Sequence, residues 1–318
     1  MWAVSSGPAV VALGGGHGLA SSLAALRQVT DDVTAVVTVA DDGGSSGRLR
    51  AELDALPPGD LRMALAALAG DDEWGATWAR LLQHRFGGDG ALRGHAVGNL
   101  LISGLCELTG DPVRTLELVG QLLGIRGRVL PLSTVPLDIV AEVVGLDAAD
   151  PGAVTEVRGQ VQVATTPGRV VAVHLVPPSP PACPEAVSAV EAADAVLLGP
   201  GSWFTSVLPH LLVPDLAKAL VATSARKVVA LNLSAQAGET DGFSQETHLE
   251  VLGAHLPELT VDVVLADPRA VHDHASLLSA TRDLGAELVV AHVGRDDGAP
   301  VHDPTHLAAA LRPILSAS

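Results

Sequence analysis

AVVALGGGHGLASSLAALRQVTDDVTAVVTVADDGGSSGR, residues 9–48, decides the fold. Ala9–Leu13 is an unbroken apolar run of strand length, and from Leu19 to Val29 the leucines Leu19, Leu23 and Leu26 recur on one helical stripe. Thr34–Ala40 is apolar again and rich in β-branched residues. Strand, helix and strand this close together form a βαβ unit, whose strands are parallel and whose crossover is right-handed. Gly14, Gly15, Gly16 and Gly18 stand where the first strand becomes the helix, so the backbone can approach a phosphate while free N–H groups and a partial positive charge face it.

Four further strands are expected, at Ala195–Leu198, Val228–Leu233, Val261–Ala266 and Leu288–Val293. Helical patterns separate them, and the last helix runs from Thr305 to Leu315. This alternation predicts an α/β fold: a doubly wound, mainly parallel Rossmann-like sheet. The middle of the chain departs from it. Residues 56–125 read as an apolar helical insertion and 126–177 as a small antiparallel β unit, all within one domain spanning 1–318.

Gly199-Pro200-Gly201-Ser202 repeats the strand-turn-helix logic of the first loop, and Ser202, Thr205 and Ser206 add hydroxyls at a helix start. Asn232 closes the next strand, with Gly238-Glu239-Thr240 extending its rim. With Asp41-Asp42-Gly43-Gly44-Ser45-Ser46 at the end of the second strand, three polar loops should meet at one sheet edge, where open α/β sheets bind ligands.

Composition narrows what that edge binds. A formal charge of −17 opposes sequence-independent nucleic-acid binding and attraction to anionic membranes. Lys218 and Lys227 are the only lysines, and no Gly-Lys-Ser/Thr occurs, which excludes a Walker-type phosphate loop. Phosphate must be met by backbone amides and arginines. A dinucleotide fingerprint fails as well, because Leu19 or Ser21 falls where its last glycine belongs. Cys106 and Cys183 do not make a disulfide framework, and no Gly-x-Ser-x-Gly elbow occurs. No signal segment opens the chain at Met1–Val4 and no apolar run is long enough to span a bilayer, so a cytoplasmic location without membrane insertion is expected.

Asp41 and Asp42 are candidate catalytic residues and candidate Mg²⁺ ligands, since hard cations take oxygen donors. A ribose contact and a solvated turn are the other readings. Asp60 is placed as a helix N-cap, whereas Arg62 opens an apolar stretch and suits bidentate contact with a phosphate. His95 and Asn99 share a helical face, as ligand contacts or as core groups. His272-Asp273-His274, and His302-Asp303 with His306, read as solvated histidines, because neither group has a third clear ligand.

Taken in order, VVALGGGHGL, TAVVTVADDGGSSGRLR, LPPGDLRMALAALA, GHAVGNLL, GPGSWFTSVLPHLLV, LNLSAQAGETDGFS and His302-Asp303-Pro304 resemble the YvcK-type gluconeogenesis factors, relatives of the phospholactate transferase CofD. The resemblance implies a factor that binds a UDP-sugar such as UDP-N-acetylglucosamine. Such a factor links central carbon metabolism to cell-wall precursor supply and cell shape. It implies a nucleotide site at Gly14–Gly18, His17 included, at Asp41–Ser46, at Gly199–Ser202 and at Asn232. The transferase relatives imply an alternative, a Mg²⁺-dependent transfer of a phosphorus-containing group. Expected partners are the nucleotide-sugar, a cell-wall precursor enzyme and further copies of the chain, with the apolar helices of 96–123 as core or as subunit contact. Two departures bear on affinity: His17 stands where relatives often carry Thr, and Val301 where they commonly carry Arg.

Overall fold

The structure, a computed structural model, describes residues 7–236, 239–240 and 242–316. Met1–Val4 and Gly238, used above, lie outside the described residues. Ten strands are described: β1 (Val10–Gly14), β2 (Val33–Val37), β3 (Arg128–Pro131), β4 (Asp138–Val144), β5 (Thr155–Arg158), β6 (Arg169–Val176), β7 (Ala195–Leu198), β8 (Arg226–Ala230), β9 (Val263–Ala266) and β10 (Glu287–Val290). Seven of them form one sheet in the order β10-β9-β8-β7-β1-β2-β3, and β5-β4-β6 form a second. All pairings in the large sheet are parallel, and those in the small one are antiparallel.

Every residue of β1, β2, β7 and β9 is buried, so these strands are covered on both faces, as parallel strands with helical crossovers must be. The helix Gly16–Leu26 packs on Pro58–Ala67 and on the C-terminal helix Pro304–Ser316, while Pro184–Ala192 packs on Pro214–Ala222. No described helix is long and apolar enough to cross a membrane.

The order of the strands places the site. After β1 the chain adds β2 and β3 on one side, and after the helical and β excursions it returns to pair β7 on the other side of β1. The β1/β7 boundary is therefore the topological switch point, and the loops leaving these two strands border the crevice at their carboxyl ends. Those loops are Gly14–Gly18 and Gly199–Ser202.

Local readings are corrected in three places. Arg128–Pro131 belongs to the large parallel sheet, pairing Thr34–Val37, so the antiparallel unit starts at Asp138. Its sequence is apolar after Arg128 and buried there, which a half-exposed antiparallel strand would not be. Gly44–Leu53 is a helix, so the polar loop expected over Asp41–Ser46 ends at its N-cap, Gly43. The N-cap of the next helix is Pro57, and Asp60 lies inside its first turn.

Candidate functional site

The two glycine loops touch. A side chain at Gly18 would be driven into the carbonyl of Pro200, and one at Gly201 would stand 3.8 Å from the carbonyl oxygen of Gly15. Asn232, just past β8, fastens the second loop from below: its Oδ1 accepts from the Gly201 N–H at 2.9 Å and its Nδ2 donates to the Gly201 carbonyl at 2.8 Å. A hollow of about 170 Å³ opens between the loops, lined by His17, Gly18, Gly201, Asn232, Gln236 and His302 among others. Of the larger hollows, those of about 670 and 500 Å³ lie at the amino ends of the strands, at Asp194 and Arg226 and at Asp32 and Arg128, away from the two glycine loops.

Beside each loop stands a carboxylate of the chain itself. Glu239 is buried, and its Oε1 accepts from the N–H groups of Phe204 and Thr205, both at 2.9 Å, while the Ser202 hydroxyl donates to it at 2.6 Å. Burial raises the Glu239 carboxyl above its ordinary value against these donors. Ser202 and Thr205 also hydrogen-bond each other. In the first loop the Gly16 N–H faces Asp60 and lowers its carboxyl. Asp60 fills the space beside Gly15, where a side chain would collide with its Oδ2 and with Thr38.

Asp60 has company. A side chain at Gly59 would come within 2.6 Å of Asp41 Oδ2, so Asp41 borders the same turn. Burial first and the Asp41 charge second push the Asp60 carboxyl up to about 7. Arg62, buried two residues on, has Nε and Nη1 without a hydrogen-bond partner, as do Asp60 Oδ2, Thr38 Oγ1 and Asn99 Oδ1. Burial, and Arg85 beside it, hold the Arg62 guanidinium below its ordinary value. A buried guanidinium with idle donors is costly unless something completes it.

Ser45 joins the next group. Asn99 Nδ2 donates to Ser45 Oγ at 3.0 Å, and Ser45 Oγ lies 2.9 Å from His95 Nδ1. Burial, and Arg48 after it, hold the His95 imidazole below its ordinary value. His95 precedes Ala96, the N-cap of the helix Val97–Thr109 that carries Asn99, so the two meet through Ser45 and not along one helical face as their spacing suggested. Asp42 points elsewhere: its Oδ1 accepts from the Val161 N–H at 3.0 Å, tying the loop after β2 to the short helix Gln160–Ala164 between β5 and β6. Asp41 Oδ1 accepts from Gly43 N–H at 2.9 Å and Gly44 has φ +46°. The carboxylate neighbouring Asp41 across this turn is therefore Asp60, placed there by the turn from Pro57 into its helix and not by adjacency in sequence.

Residues 10–296 match the family described as 2-phospho-L-lactate transferase CofD. The chain belongs to the CofD family. Within it, a gluconeogenesis factor of Halalkalibacterium halodurans is 40% identical over 264 residues, covering 83% of this chain and 79% of that protein. A relative from Mycobacterium tuberculosis, provisionally named a gluconeogenesis factor, is 57% identical over 305 residues, covering 95% and 89%. The crystal structure of a UPF0052-family protein from Bacillus halodurans superposes with a TM-score of 0.85 at 34% identity, over 96% of this chain and 99% of that one. These likenesses span both glycine loops and the inserted segments, so this CofD-family chain shares the gluconeogenesis-factor architecture throughout.

Proposed function

We propose that this CofD-family chain is a binding factor for a nucleotide-sugar, UDP-N-acetylglucosamine or another UDP-sugar, coupling carbon metabolism to cell-wall precursor supply. The observation that carries the reading is the contact between the two glycine loops at the switch point, with Asn232 and His17 on the same hollow. At about 170 Å³ the hollow admits a diphosphate or a ring, and the remainder of a nucleotide-sugar would lie across the open rim. Orphaned donors on Arg62, beside Asp60, supply a cation for phosphate. A cytoplasmic location, a cell-wall enzyme as partner and self-association belong to the same reading.

Calorimetry with UDP-N-acetylglucosamine tests it. Saturable binding is expected, weakened several-fold in His17→Ala and lost in Asn232→Ala. Absence of both heat and thermal stabilisation at millimolar ligand would overturn it.

A second reading, Mg²⁺-dependent transfer of a phosphorus-containing group, is favoured by one arrangement: Asp41 and Asp60 crowd each other beside Arg62. A divalent cation relieves such crowding and neutralises charge on a transferred phosphoryl group, with the protein supplying position. Metal-dependent product that survives unchanged in Asp41→Asn and Asp60→Asn would remove this reading.

A further inference from the structure

Far along the sheet edge, beyond β10, three side chains converge that share no motif. His292 follows β10, Asp296 lies four residues later, and His306 sits in the first turn of the C-terminal helix. One donor atom from each lies within 4.8 Å of the others. His292 Nε2 and Asp296 Oδ1 are 3.0 Å apart, close to the separation of about 3.3 Å between donors of a tetrahedral zinc site.

The far side of each ring is also arranged. His292 Nδ1 stands 3.3 Å from Oδ2 of Asp267, a buried carboxylate that also accepts the N–H groups of Val293 and Gly294. His306 Nδ1 lies 3.0 Å from the Gly294 carbonyl, to which it donates. The Gly294 carbonyl thus takes the His306 Nδ1–H, while His292 is set between Asp267 at its Nδ1 and Asp296 at its Nε2. Rings that ligate metals are held by outer partners of this kind. The two ring centroids are 4.6 Å apart. Asp303 accepts from the N–H groups of Thr305 and His306, fixing the helix start that carries the second ring.

We propose that His292, Asp296 and His306 bind a divalent cation of the zinc class, with water completing its coordination. Two imidazoles and one carboxylate suit Zn²⁺, Co²⁺ or Ni²⁺, and not Mg²⁺ or Ca²⁺, which prefer oxygen throughout. The cation would clamp the two ends of the 292–306 loop. That loop reaches the glycine hollow through Pro300, Val301 and His302, so the metal braces one wall of it.

The test is zinc titration of the untagged, chelator-dialysed full chain by calorimetry, with Co²⁺ absorption as a second readout. One Zn²⁺ per chain is expected, with a rise in Tm and visible Co²⁺ ligand-field bands. His292→Ala and His306→Ala should each weaken binding about tenfold or more and abolish the bands. Asp296→Asn touches a side chain that is 84% exposed, so it keeps the test valid should either histidine variant fold poorly. The exposed pair His272→Ala/His274→Ala should bind zinc as the parent does. No saturable binding at sub-millimolar zinc, or equal affinity in parent and Asp296→Asn, would overturn the proposal.

Discussion

Asp60 keeps its proton up to about pH 7 in the folded chain, while the same group ionises near its ordinary 3.8 once unfolded. A raised acid of this kind costs no stability below about pH 4, costs progressively more as pH climbs, and costs its full amount above 7. The shift corresponds to about 4 kcal/mol at most. Asp60→Asn keeps an oxygen for the Gly16 N–H and removes the charge. Its stability advantage over the parent, measured by urea unfolding, should open between pH 4 and 7 and then stay level; a difference independent of pH would refute the assignment. Mg²⁺ at a site including Asp60 would shrink that advantage. Sequence showed Arg62 as unusual because a cation opened an apolar run, but it showed Asp60 only as a cap. Its neighbours Gly15 and Thr38 come from other elements, and no local pattern records them.

At the scale of an element, the π-helical turn Trp203–Val207 is held at its start by Glu239 in place of a capping residue of its own. Glu239→Ala strands two buried N–H groups and should cost about 1–3 kcal/mol. Glu239→Gln retains an acceptor and should cost clearly less; equal losses in urea unfolding would show that shape alone mattered. The strand-turn-helix sequence of this element was readable, because an apolar run, glycines and hydroxyls sit side by side in the chain. Its plug was not, since Glu239 arrives from 34 to 37 residues downstream. The same limit explains β3, which follows in the chain after a run of helices and is assigned to the large sheet only by its distant partner β2. It also explains the metal-type cluster: the His302-Asp303-His306 grouping was visible, but the ring that meets His306 comes from His292, after β10.

For the whole molecule, the alternation of strand and helix made the doubly wound sheet legible, and parallel pairing then fixed which ends of the strands share an edge. What sequence left open was how closely two loops, separated by some 180 residues, approach. They approach to contact at Gly18 and Pro200, so Gly18 is held by packing and not by backbone angle. Gly44 is the opposite case, with φ +46° and nothing within 4 Å of an added side chain. The two alanine substitutions therefore separate assembly of the switch point from simple backbone strain. Gly44→Ala should cost about 1 kcal/mol and leave ligand binding in place. Gly18→Ala forces β1 and β7 loops apart, so it should cost about 2 kcal/mol or more and abolish UDP-sugar binding while the chain is still folded. Urea unfolding and calorimetry on the same samples decide it. If Gly18→Ala binds like the parent, the crevice between the two glycine loops is not where the ligand sits.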